Sequence, residues 1–168
     1  MRRVKIMRSA SRPHRLRGVS LIETMTAVAI GGVLLVQGLP ALGDYLTNAR
    51  LRSAGQLVLE QTLYAQNEAI RRNGIVRVTL DGSQLQVLDA RTAPPTVLRT
   101  VQLPGSVAVD KSATIEFGSQ GRPPTFGDSY AVALGASGVS CGEETHCPAV
   151  RVDAGGGVSL CADRNACL

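Results

Sequence analysis

Gly18-Val19-Ser20-Leu21-Ile22-Glu23-Thr24-Met25-Thr26-Ala27-Val28-Ala29-Ile30-Gly31-Gly32-Val33-Leu34-Leu35-Val36 decides the reading of this chain. A glycine, a lone acid and a long apolar run follow one another there without a break. Within Val19–Val36 the only ionisable side chain is Glu23, and the apolar character continues to about Leu42. About 20 helical residues cross a bilayer core, so the run is long enough to span. Seven basic residues precede it (Arg2, Arg3, Lys5, Arg8, Arg12, Arg15 and Arg17), and no acid lies among them. Cations on one flank hold the N-terminus in the cytoplasm and put the body after Asp44 in the periplasm.

Two plain readings compete for the segment. A secretory signal peptide would end in a small-residue cleavage site after the apolar run, and Gly38-Leu39-Pro40-Ala41-Leu42-Gly43 is a poor version of one. A simple signal anchor would gain nothing from Glu23, since an acid in a spanning helix costs about 2.5–3.5 kcal/mol at the centre and less toward an end.

Gly18-Val19-Ser20-Leu21-Ile22-Glu23 resembles the cleavage motif of type IV prepilins and type II secretion pseudopilins. The resemblance implies that prepilin peptidase cuts after Gly18 on the cytoplasmic side and that Val19 becomes a methylated N-terminus. Phenylalanine is usual at that position, so Val19 departs from the pattern. Glu23 falls at the fifth mature position, where the family keeps a glutamate. A physical account agrees: cleavage leaves an amine cation in or near lipid, and a carboxylate at Glu23 neutralises the amine of a neighbouring subunit. Burying either charge alone is costly, while pairing removes most of that cost. Gly38, Pro40 and Gly43 predict a kinked or melted stretch, which in the family reads as an extensible segment and otherwise as the ordinary tolerance of Gly and Pro in membrane helices.

A second helical stretch is expected over 44–74. Val58, Leu59, Thr62, Leu63, Ala65, Ala69 and Ile70 form an apolar stripe near the helical period, with Glu60, Glu68, Arg71 and Arg72 mostly off it. Asn73-Gly74 ends it, since either residue takes the left-handed conformation needed there. The period then changes to two. Strands are expected at Ile75–Leu80, Gln84–Leu88, Val97–Leu103, Val107–Val109, Thr114–Phe117, Tyr130–Leu134, Ala149–Val152 and Val158–Leu160, with Asp81-Gly82 as the first hairpin turn. One long helix before several short strands predicts an α+β fold, the helix packed on an antiparallel sheet or on two small sheets. With no Trp and few aromatics, the core is built from Val, Leu, Ile and Ala. Ala65–Gly74 with its Val-rich hairpin, and Ile115-Glu116-Phe117-Gly118-Ser119-Gln120-Gly121-Arg122, are similar to the GspH/FimT branch of minor pilins and pseudopilins. This likeness covers the anchor, the helix and the first hairpin and thins after about Gly127. It implies the pilin fold: a basic leader (1–18), a transmembrane assembly helix (19–43), an amphipathic helix (44–74) and a periplasmic β-rich head (75–168).

All four cysteines, Cys141, Cys147, Cys161 and Cys167, lie in the last 28 residues. In a periplasmic head they form disulfides, and four cysteines allow three connectivities. Cys141–Cys147 with Cys161–Cys167 is the favoured pairing, each closing a short loop; the crossed and nested pairings would tie the last strand to the preceding one. Zinc is the rival, with His146 as an extra ligand, but the cysteine spacing is wider than structural zinc prefers. No cofactor, metal site or catalytic constellation is expected. His14 lies in the leader, and Gly155-Gly156-Gly157 reads as a hairpin turn rather than a dinucleotide loop.

The net charge of +5 belongs to the leader; residues 19–168 carry 11 basic against 13 acidic side chains. That removes the whole-surface argument for nucleic acid. A local patch of Arg122, Arg151 and Arg164 is the only DNA candidate, and Glu143, Glu144, Asp153 and Asp163 lie near it in sequence. The expected role is therefore that of a minor pilin in the bacterial inner membrane that primes or caps a type IV pilus. A type II secretion pseudopilin is the second reading, and a DNA receptor at a pilus tip the third. Expected partners are prepilin peptidase, other major and minor pilins or pseudopilins, and inner-membrane lipid.

Overall fold

The structure, a computed structural model, describes residues 18–142 and 145–167, and of residues 37–41 the backbone only. Two compact units divide the chain, the first ending at Leu39 and the second starting at Pro40. Helix α1, Leu21–Arg72, runs through the division. The backbone stays helical across 38–43, so the expected melted stretch is absent. A proline removes one donor from the ladder, and intact bonds on both sides can sustain the helix around that single loss.

In the second unit α1 buries Leu51, Ala54, Val58, Gln61, Thr62, Ala65, Glu68 and Ala69. This face is rotated from the expected stripe: Leu63 and Ile70 are exposed, while Glu68 is buried. Small residues decide the rotation, because Ala54, Ala65 and Ala69 let the sheets approach where Leu63 and Ile70 would hold them off. Gly55 is part of the same device, since a Cβ there would lie 3.0 Å from Leu160 and 3.1 Å from Pro148. The helix ends in a paired-bond cap: Gly74 N–H donates to the Ala69 carbonyl and Asn73 N–H to the Ile70 carbonyl, each at 3.1 Å. Asn73 supplies the left-handed residue, at φ 50°.

Eight strands follow: β1 (Val76–Asp81), β2 (Gln84–Asp89), β3 (Thr96–Gln102), β4 (Val107–Val109), β5 (Ala113–Phe117), β6 (Tyr130–Ala136), β7 (Ala149–Val152) and β8 (Val158–Cys161). They form two four-stranded sheets, ordered β3-β2-β1-β5 and β4-β6-β7-β8, with every pairing antiparallel. The β1–β2 hairpin pairs Asp81 with Gln84, so its two loop residues are Gly82 and Ser83. That is one residue later than Asp81-Gly82, because the first loop position needs φ > 0 and Gly82 supplies it at 54°. Inward residues of both sheets, among them Val78, Leu85, Ile115, Phe117, Leu134 and Val150, join the helix face in one core cluster. Phe117 is its largest fully buried side chain, and aliphatic residues supply most of the rest.

Candidate functional site

At the start of α1, Thr24 N–H donates to the Ser20 carbonyl at 3.1 Å. The hydroxyls of Thr24 and Thr26 turn back onto the carbonyls of Leu21 (2.8 Å) and Glu23 (2.9 Å). Two polar side chains are thereby satisfied within the helix itself. Glu23 stands in the first turn, where the helix dipole favours a carboxylate. Around it the surface is apolar on every side. Leu21, Ile22, Met25, Val28, Ile30 and the run Val33–Val36 are all exposed, Val28 at 75%. A helix apolar all round is ordinarily buried, in protein or in lipid. Val19 is exposed at 68%, and open space surrounds the Cα of Gly18. Among the described residues no helix is long and apolar enough to cross a membrane. The segment expected to span includes residues 37–41, whose side chains lie outside the description, as does the leader 1–17 with His14.

The cysteines pair as Cys141–Cys147 and Cys161–Cys167, each across a separation of six residues. With sulfur bonded to sulfur, none is a thiolate donor for zinc. The two loops are tied together, since Arg164 N–H donates to the Cys147 carbonyl at 2.8 Å and His146 Nδ1 lies 3.6 Å from the Asp163 carboxylate. The three arginines considered for DNA stand on different elements. Arg164, in the 3₁₀ turn Arg164–Cys167, is ion-paired with Asp110. Arg151, on β7, donates to the Cys167 carbonyl at 3.2 Å. Arg122 lies in the loop after β5 and enters no ion pair among the described residues. Glu143 and Glu144 lie outside the described residues.

Two polar clusters were not legible as sites. At the end of α1, Glu68 takes Arg71 and Arg72 at 2.7 Å each, and Asp89 takes Arg91 at 2.7 Å and Arg72 at 3.3 Å. Arg91 also donates to the Arg72 carbonyl at 3.1 Å, which closes the helix end against the β1–β2 hairpin. A Cβ on residue 74 would collide with Cδ and Cγ of Arg91, so glycine admits the aliphatic stem that carries the guanidinium to Asp89. The Arg91 hydrogen bonds hold the Asp89 carboxyl far below the usual carboxylate range, and those from Arg71 and then Arg72 lower Glu68, against the opposing effect of burial. The sequence signal for Asp89 is its place in the inward row after Leu85 and Val87. Gln66 is the second feature: its Nε2 donates to the carbonyls of Gly121 and Gly156, both at 2.6 Å. Gly121 follows β5 of one sheet, and Gly156 turns between β7 and β8 of the other, so one amide joins the helix to both.

The family described as type II transport protein GspH matches residues 54–156, well past Gly127 and wholly downstream of the Gly18–Glu23 motif. No protein of curated function matches the sequence. Two crystal forms of the type IV minor pilin FimU of Pseudomonas aeruginosa strain PAO1 share the fold at 16% identity. In the P21 form the TM-score is 0.53, with 66% of this chain and 87% of that chain covered. In the P65 form it is 0.51, with 65% and 90% covered. With a family match over residues 54–156, more than half of the chain, and the fold of a minor pilin in its long N-terminal helix on antiparallel sheets, the protein belongs to the GspH family.

Proposed function

We propose that this chain is the precursor of a minor pilin, cut after Gly18 by prepilin peptidase, methylated at Val19, and built through its N-terminal helix into a type IV pilus. The observation that carries the reading is the exposed apolar helix from Leu21 to Val36 with Glu23 as its one acid. A surface of that kind is stable only in lipid or against similar helices. In the membrane the segment 19–43 anchors the subunit with its head in the periplasm. During assembly Glu23 neutralises the Val19 amine of a neighbouring pilin and sets the axial register. The head selects its partners among other minor subunits, and the disulfides suit a periplasmic setting. The protein does no chemistry of its own in this role.

The likeness of the fold to a type IV minor pilin supports the pilus. The description of the matching family supports a second reading, a minor pseudopilin of type II secretion. Co-expression with a prepilin peptidase followed by intact-mass measurement tests the shared core. The expected product lacks residues 1–18, and Gly18→Val abolishes the cut; an unprocessed chain beside an active peptidase refutes the proposal. A clean deletion strain separates the two machines. Loss of surface pili and twitching, restored by the wild-type gene, assigns the pilus, whereas retained pili with lost export of secreted enzymes assigns the pseudopilus.

A further inference from the structure

Asparagine followed by glycine is a reactive pair. The glycine amide nitrogen can attack the asparagine side-chain amide, and glycine has no Cβ to hinder the approach. Asn73-Gly74 is such a pair, whereas Asn48, Asn67 and Asn165 are followed by Ala, Glu and Ala. The fold asks for both residues at this place. Residue 73 ends α1 in the left-handed conformation, at φ 50°, which asparagine tolerates better than most residues that carry a side chain. Residue 74 is glycine because a Cβ there would collide with the stem of Arg91. Packing therefore imposes the reactive pair. The Asn73 side chain is also exposed and makes no hydrogen bond among the described residues, whereas Asn67 Nδ2 donates to the Leu63 carbonyl at 2.8 Å.

The helix cap keeps the pair from reacting. Gly74 N–H donates to the Ala69 carbonyl at 3.1 Å, so the attacking nitrogen keeps its proton and is held toward the helix. Arg91 lies over Gly74, is fixed by Asp89 at 2.7 Å, and donates to the Arg72 carbonyl at 3.1 Å. For reaction the nitrogen must lose its proton and turn toward Cγ of Asn73, and that requires the cap to open. Helix ends open locally at a lower free energy than the whole fold.

We infer that Asn73-Gly74 is a self-modification site gated by the helix cap, converting to aspartate or isoaspartate when the end of α1 frays. The Gly74 nitrogen bonds to Cγ of Asn73 as the Cγ–Nδ2 bond breaks. The Gly74 amide proton passes to solvent base, and ammonia leaves with a proton taken from solvent. Water then opens the cyclic imide. Attack at Cγ restores the main chain with a carboxylate side chain, and attack at the main-chain carbonyl gives isoaspartate, with an extra carbon in the main chain. Nothing is oxidised or reduced. Either product puts a carboxylate at the C-terminal end of α1, where the helix dipole disfavours it. Isoaspartate also lengthens the link between the cap and Val76, the first residue of β1. A transient opening is thereby made permanent.

The test follows peptides containing Asn73 by mass spectrometry, in the full-length protein held in detergent at mildly alkaline pH. Conversion adds one mass unit, and chromatography separates the two products. Folded wild type is expected to convert at least about tenfold more slowly than the same protein in urea. Arg91→Ala removes the stem and the bond to the Arg72 carbonyl. It is expected to raise the folded-state rate several-fold, in parallel with hydrogen exchange at the Gly74 amide. Asn73→Gly retains a residue suited to the left-handed turn and is expected to fold with no mass gain. Should Arg91→Ala fail to fold, graded urea on the wild type makes the same comparison, since conversion must track Gly74 exchange. Equal rates in folded and urea-unfolded wild type overturn the inference. So does conversion that stays flat while Gly74 exchange rises, or an Asn73 that stays intact in urea.

Discussion

Replacing Gln66 with Met keeps the volume of the side chain and removes both of its donors. In the wild type one amide nitrogen serves the Gly121 and Gly156 carbonyls at 2.6 Å each, and both glycines are buried. An orphaned buried carbonyl costs about 1–3 kcal/mol. Partial relaxation toward water makes the expected loss for the pair roughly 2–4 kcal/mol, a large share of a domain stability of about 5–15 kcal/mol. A shift in Tm on the order of 10 °C follows for a unit of this size. Urea unfolding of residues 40–168, followed by far-UV circular dichroism because the chain has no tryptophan, measures the loss. Gln66→Glu sharpens the test. At neutral pH a carboxylate would face two carbonyl oxygens, so this variant is expected to be less stable than Gln66→Met. The repulsion raises the folded-state pKa of the new acid above its unfolded value of about 4.3. Its excess cost is therefore full above the folded pKa and shrinks as pH falls through it, because the protonated acid donates one bond again. A Met variant within about 0.5 kcal/mol of wild type, the usual range for an inconsequential surface change, would refute the reasoning. So would a Glu variant whose deficit is flat in pH.

Glu68 and Asp89 have folded-state pKa values lowered by arginine, so their stabilisation is present above the unfolded carboxylate values of about 4 and is lost as pH falls below them. Asp89→Asn should lower stability at pH 7 by about 1–3 kcal/mol and flatten the acid limb of the unfolding profile; an unchanged limb would assign the acid sensitivity elsewhere. Converting Cys161 and Cys167 together to Ser should cost about 2 kcal/mol for a loop this short, read by urea unfolding, and a stability equal to wild type would mean the bridge adds nothing. Glu23→Ala should be cleaved normally yet enter filaments roughly tenfold less well, measured in sheared pilus fractions, because the neighbouring amine is left unpaired.

The strands were legible because their residues alternate cleanly on two-faced sheets: Val76, Val78 and Leu80 face in while Arg77 and Thr79 face out. Each expected strand is present, with bounds shifted by at most two residues. The orientation of α1 was less legible. A period-based stripe weights Leu63 and Ile70 by their size, whereas packing chose the small side of the helix and accepted Glu68 with its two arginines. Asp89, Arg91 and Gln66 escaped notice for a shared reason. Gln66 reaches carbonyls 55 and 90 residues away, and Arg72 and its carbonyl join Asp89 and Arg91 across 17 and 19 residues; such relations leave no local pattern, and the two-residue Asp89–Arg91 bond has no helical or strand period to mark it. The pairing of Arg164 with Asp110 is of the same kind, and it removes a cation that the sequence alone left available.

The placement of the two bridges has a consequence for the order in which the head is completed. β1, β2 and β3 form a meander from neighbouring residues, so the first sheet can begin as soon as residues 76–102 are free to fold. β7, β8 and both disulfides lie at the far C-terminal end, and Val150 and Val152 are core residues that arrive only then. Until that last stretch emerges, the helix face that receives it stays uncovered. The head is thus a fold whose clasp is made last, and a chain truncated before Val150 would be left with its core open.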